Sequence, residues 1–144
     1  RVAGESFADP SRLYGRARVA RIELDRARAS VAETLGARSE EIVFTSGGTE
    51  SCNLAVIGGA RAARAARKPA RVVVSAVEHT AVLEAARSLE PEGFEVIEVP
   101  VDGAGRVSLD ALREAVAPGA GLVSIQHANQ EVGTIQPVRR SRAG

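Results

Sequence analysis

Short β-branched runs that alternate with stretches of helical spacing constrain this chain most. Ile42-Val43-Phe44-Thr45, Arg71-Val72-Val73-Val74-Ser75 and Leu122-Val123-Ser124-Ile125-Gln126 read as strands, and Phe94 to Val101 is strand-like as well. Between them, Asn53 to Arg67, Ala81 to Leu89 and Leu109 to Val116 carry apolar residues at helical steps. Gly36, Pro69, Pro91, Gly93, Pro118 and Gly119 punctuate the alternation, and Ser108 stands where it caps a helix from Leu109. Ahead of all this, from Tyr14 to Leu35, Ala20, Leu24, Ala27, Val31 and Leu35 recur at three- and four-residue steps. That pattern predicts an amphipathic helix with an arginine-rich outer face. The compositionally simple stretch Ala60 to Arg67 reads as a solvated helix. Repeated β/α alternation favours a three-layer α/β fold, with a largely parallel sheet between helices.

Composition narrows the function classes. The 144 residues suffice for one domain with a core; 44% are hydrophobic, and no apolar run approaches a membrane span. Nineteen basic residues against 18 acidic ones leave a formal charge of +1, so no global field points to nucleic acid or an anionic membrane. The single cysteine, Cys52, excludes an internal disulfide framework, and no targeting segment is evident, so a reducing cytoplasm is expected. No metal site is expected.

Three polar clusters fall just after three of the expected strands: Ser46 to Glu50, Glu78 to Thr80, and His127 to Glu131. In open α/β sheets ligands bind outside the carboxyl ends of the strands, so one site is expected to collect Gly48, His79 and Gln130. In Ser46-Gly47-Gly48-Thr49-Glu50 the glycines permit close backbone approach, and the following helix start offers unpaired N–H groups to an anion. The same residues also suit an ordinary turn with Thr49 as a helix cap. His79 has the chemistry to stack on a flat ring or carry a proton, and equally to cap the next helix. Asn129, Gln130 and Glu131 bring amide donors and acceptors suited to a hydroxyl or ring nitrogen, or simply to a polar loop.

The runs Glu41-Ile-Val-Phe-Thr-Ser-Gly-Gly-Thr-Glu-Ser51, Ser75-Ala-Val-Glu-His-Thr-Ala-Val-Leu83, Glu92-Gly-Phe-Glu-Val96 and His127-Ala-Asn-Gln-Glu-Val-Gly-Thr-Ile-Gln-Pro137 resemble successive signatures of the cysteine desulfurases, within the class V aminotransferases. With the Asp9-Pro10-Ser11 start, the resemblance covers about Phe7 to Val138. It implies part of the large domain of a fold-type I pyridoxal 5'-phosphate (PLP) enzyme. Gly48 and Thr49 would hold the PLP phosphate, and His79 would stack on the pyridine ring as the catalytic residue. Asn129 and Gln130 fall at the family's Asn-Asn pair, with Gln130 in place of the second asparagine, which reaches the phenolic oxygen. The implied reaction converts L-cysteine to L-alanine and passes sulfur to an acceptor or scaffold protein for iron–sulfur or thio-cofactor assembly. The implied assembly is a homodimer with the site near the subunit interface.

Two groups that this chemistry needs are not evident. The only lysine, Lys68, lies beside Pro69 and is expected on the side of the sheet away from the clusters; Cys52 reads as a small buried helical side chain. The family's Schiff-base lysine and mobile cysteine would lie beyond Gly144. The expectation is therefore that residues 1–144 are a partial PLP-binding domain, shortened at both ends and inactive alone. Another class V enzyme, such as a selenocysteine lyase or an aminotransferase, and a non-catalytic binding or interaction remnant are the competing readings.

Overall fold

The computed structural model of the chain describes Asp9 and residues 15–138. They belong to two compact units, one ending at Thr45 and the other starting at Ser46. Phe7, Pro10 and Ser11 of the sequence start, and the tail from Arg139, lie outside the described residues.

In the first unit helix α1, Gly15–Leu35, ends where the sequence predicts. Gly36 takes a left-handed φ of 64°, and the Ala37 N–H reaches the Ala32 carbonyl at 2.9 Å, a closure that costs a residue with a Cβ more than it costs glycine. The apolar stripe is a different matter. Ala17 and Ala32 are buried, whereas Val31 and Leu35 are exposed and Ala20 and Leu24 only half-buried. Within its unit the helix packs chiefly on one 3-10 turn, Ser39–Glu41, which is too little surface to cover a full face. Ile42–Thr45, expected as a strand, pairs with no strand among the described residues: Val43 and Phe44 are exposed, and a β-branched run becomes a strand only through ladder pairing.

The second unit opens with a continuous helical run: α2, Gly48–Asn53, a π-helical turn, Leu54–Gly58, and α3, Gly59–Ala65. This run closes two residues earlier than expected. Arg67 takes the left-handed position at φ 61°, and the Lys68 N–H bonds to the Ala63 carbonyl at 3.0 Å, so closure precedes Pro69. Strand β1, Arg71–Ser75, follows, then α4, Thr80–Arg87, a 3-10 turn, Glu90–Glu92, β2, Glu95–Val99, α5, Leu109–Val116, and β3, Leu122–Ser124. The sheet order is β2-β1-β3 and both pairings are parallel.

The two-residue period of β1 sorts the core into two layers. Val72 and Val74 pack on one face with Val56 of the π turn, Ala60 of α3, Val82 and Ala86 of α4, and Leu89 and Phe94 from the segment between α4 and β2. Val73 packs with Val99, Val107, Leu112 and Ala115 on the other. Each of these three buried valines contributes roughly 1.5–3 kcal/mol by leaving water, so the central strand carries both layers. The α/β fold with a parallel sheet is thus as expected. The solvated reading of Ala60 to Arg67 holds for most of the stretch, which is exposed at Arg61, Ala62 and residues 64–67; Ala60 is the exception, buried in the core, while Arg61 pairs with Glu92 and the Arg64 guanidinium lies 4.3 Å from the centroid of Phe94. At Gly121 the chain crosses the Pro69 carbonyl so closely that a Cβ would lie 2.5 Å from its oxygen. Only glycine fits there.

Candidate functional site

Chain order reverses at the central strand: α4 returns the chain along one face of the sheet and α5 along the other. Such a reversal leaves a crevice at the carboxyl edge of the sheet. A cavity of about 620 Å³ occupies that edge, lined by Ala76 to Thr80 after β1, Gly103 to Gly105 after β2, and residues 129–132 and 134 after β3. Its volume is in the range of small-molecule sites. Among the described residues no lysine or arginine lines it.

The loops after β1 and β3 are laced together. Glu78 is buried, and its Oε1 accepts the Ser75 hydroxyl at 2.7 Å and the Gln126 N–H at 2.6 Å; its Oε2 faces the Ser124 hydroxyl at 3.5 Å. The Val77 carbonyl accepts from the side-chain amides of Gln126 and Asn129, the latter at 3.3 Å. β3 ends at Ser124, two residues before its expected end, because the Gln126 N–H turns to Glu78 instead of continuing the ladder.

His79 caps α4. Its Nδ1 accepts the Ala81 N–H at 3.1 Å, which leaves Nε2 as the nitrogen that holds the proton of the neutral ring. The capping reading and the ligand reading coexist, since the capping residue also lines the cavity. Asn129 lines the cavity too, but most of its amide is committed to the loop: Oδ1 accepts the N–H groups of Glu131 at 2.9 Å and Val132 at 3.0 Å. Gln130 is exposed on the wall, and its side-chain amide has no hydrogen bond among the described residues.

Gly48 and Thr49 do not line this cavity. The segment before them is no strand, so the turn is placed not by the sheet but by α2, which packs on α4, the helix that His79 caps. The cap position belongs to Gly47, and Thr49 stands inside the first turn. The N–H groups of Gly48, Thr49 and Glu50 precede the first helical bond, from Ser51 to Gly47 at 3.1 Å. A Cβ built on Gly47 or Gly48 would meet nothing within 4 Å, so the space above the turn is open. Glu50 folds back onto the Ser46 hydroxyl at 2.6 Å and the Ser46 N–H at 2.7 Å, and these two bonds, the hydroxyl first, hold its carboxyl below the ordinary glutamate range.

Lys68 is exposed, just before the amino end of β1 and so across the sheet from the cavity; Cys52 is half-buried against the core. Sequence reasoning missed Gln136. It is buried, with Oε1 accepting the Val107 N–H at 2.9 Å and its amide nitrogen donating to the Gly105 carbonyl at 2.7 Å, and so it fixes the Gly103–Gly105 wall. A polar residue within the Thr134-Ile135-Gln136-Pro137 run was the available signal. Among the described residues no cluster of metal-ligating side chains occurs, and no helix is long and apolar enough to cross a membrane.

The family model described as aminotransferase class-V matches residues 5–143. The chain belongs to that family. Within it, the chain is similar to cysteine desulfurases: it is 44% identical over 135 residues, 94% of its length, to cysteine desulfurase IscS of Dictyoglomus turgidum. It is likewise 44% identical over 94% of its length to cysteine desulfurase IscS 1 of Archaeoglobus fulgidus. It covers 34% and 35% of those two proteins, about a third of their length. Among solved structures a NifS-like protein superposes with a TM-score of 0.85 at 38% identity, over 99% of this chain and 39% of that one. SspA in complex with cysteine superposes with a TM-score of 0.78 at 39% identity, over 95% of this chain and 39% of that one.

Proposed function

We propose that this class V chain forms the cofactor-holding part of a PLP-dependent cysteine desulfurase, a protein that converts L-cysteine to L-alanine and passes the sulfur to an acceptor. The observation that carries the reading is the convergence of His79, Asn129 and Gln130 on one cavity at the carboxyl edge; the uncrowded Gly47-Gly48-Thr49 turn opens α2, which packs on α4, the helix that His79 caps. These residues fit PLP. The helix start supplies N–H donors to a phosphate, where the described residues of the cavity wall offer no lysine or arginine. His79 supplies a flat ring with its proton held at Nε2, and Gln130 an amide for the phenolic oxygen. Bound there, PLP supplies the electron sink for bonds broken on the amino acid. L-cysteine as substrate follows from similarity to the desulfurases, as do a sulfur-acceptor partner and a homodimer; a reducing, cytoplasmic setting is read from the single cysteine.

The test is a PLP titration of folded protein. Thr49→Ala should weaken binding tenfold to a hundredfold, about the loss of one hydrogen bond to a charged group, and Lys68→Ala should leave it unchanged. Equal affinity in wild type and Thr49→Ala would make the turn purely structural. In the same preparation the 144-residue chain should release no alanine or sulfide from L-cysteine, because neither Lys68 nor Cys52 stands at the cavity. Turnover abolished by Lys68→Ala would overturn that expectation.

A further inference from the structure

We infer that Glu78 is a positioning residue, a clasp whose reach holds the loop of His79 against the loop of Asn129 and Gln130 and so sets the width of the cavity. The part that concerns a ligand rests on the PLP reading; the clasp itself does not.

Four observations carry the inference. Glu78 is only 8% exposed yet makes no ion pair among the described residues, so the fold has not buried it to neutralise a cation. Its partners come from both sides of the crevice: Ser75 on its own strand end, Ser124 and the Gln126 N–H on the other. The ladder between β1 and β3 stops at the Val74–Ser124 pair, and the bond from Gln126 to Glu78 takes over where it stops. Finally, the neighbouring residues on either side of the clasp carry the site. Val77 receives the Asn129 amide, and His79, next in the chain, caps α4 and lines the cavity.

The geometry separates reach from acidity. A glutamine at 78 keeps an oxygen where Oε1 receives two donors, and its NH₂ can donate to the Ser124 hydroxyl. An aspartate keeps the carboxyl but withdraws it by one carbon–carbon bond, about 1.5 Å, too far for contacts now at 2.6 and 2.7 Å. A positioning role therefore ranks Glu78→Gln above Glu78→Asp.

The experiment uses Glu78→Gln and Glu78→Asp, with Leu112→Ala as a control that weakens the opposite core layer. Hydrogen exchange at the Gln126 amide and PLP affinity are measured on each variant. Glu78→Gln should stay within about twofold of wild type in both; Glu78→Asp should speed Gln126 exchange and lower PLP affinity, each about tenfold, as the competent arrangement becomes a minor one. Leu112→Ala should lower the melting temperature and leave the PLP affinity of the folded protein unchanged. Three results would overturn the inference: rescue by Asp but not Gln, fast Gln126 exchange with unaltered PLP affinity, or a loss of affinity in Leu112→Ala as large as in Glu78→Asp. If wild type binds no PLP, the cofactor reading fails, and the Gln126 exchange rates of the Gln and Asp variants alone uphold or overturn the clasp.

Discussion

The two candidate halves of the site are held in opposite ways. The loops after β1 and β3 are fixed by bonds between residues 46 to 52 positions apart, drawn onto Glu78 and the Val77 carbonyl, and the adjoining Gly103–Gly105 wall is fixed by Gln136 over 29 and 31 positions. The glycine turn from Ser46 to Glu50 rests on bonds spanning four residues, beneath open space. One half is positioned by tertiary structure, and the other by the geometry of a helix start. Truncations in the first half should therefore cost stability as well as recognition, and those in the second recognition with little stability.

The largest effect is expected at Gln136. Gln136→Ala leaves the buried Val107 N–H and the Gly105 carbonyl without their partner and should cost about 3 kcal/mol in chemical denaturation. Asn129→Ala removes the acceptor of two loop N–H groups and one donor to Val77 from a half-buried position, and should cost about 2 kcal/mol in the same assay. At the turn the expected effects are smaller. Glu50 has its carboxyl pKa depressed in the folded state, so its contribution is complete above the ordinary glutamate range and is lost as pH falls through the depressed value. The Ser46 amide resonance should follow that titration, and Glu50→Gln should flatten it. Smallest is Gly48→Ala: a methyl meets nothing and suits a helix, so stability should hold or rise by up to about 1 kcal/mol while PLP affinity falls. A loss of stability at Gly48 comparable to that at Asn129 would erase the distinction between the halves.

The same division decides what was legible in the sequence. β1 and α5 have the boundaries that β-branching, Ser108 and Pro118 indicate, because local chemistry and tertiary packing agree there. His79, Asn129 and Gln130 were legible as polar groups following strands. Ile42–Thr45 was misread because strand propensity is not pairing, and the α1 stripe because helical period does not say what is available to cover it. Of the two readings open for Thr49, the helix cap falls instead to Gly47. The clasp was invisible for a further reason: Glu78 and Gln126 are 48 residues apart, and nothing near either of them announces the other.

The π-helical turn at Leu54–Gly58 gives the first helical run of the second unit a property its two ends do not have. A π turn closes on a wider ring than the α-helical turns on either side, so the run holds one residue of slack between the Gly47 start and the buried Ala60. Exposed Ala55 sits inside that slack. Homologues one residue shorter at this point would keep both the Gly47 turn and the core in phase, and length variation in this helix would concentrate there without disturbing either.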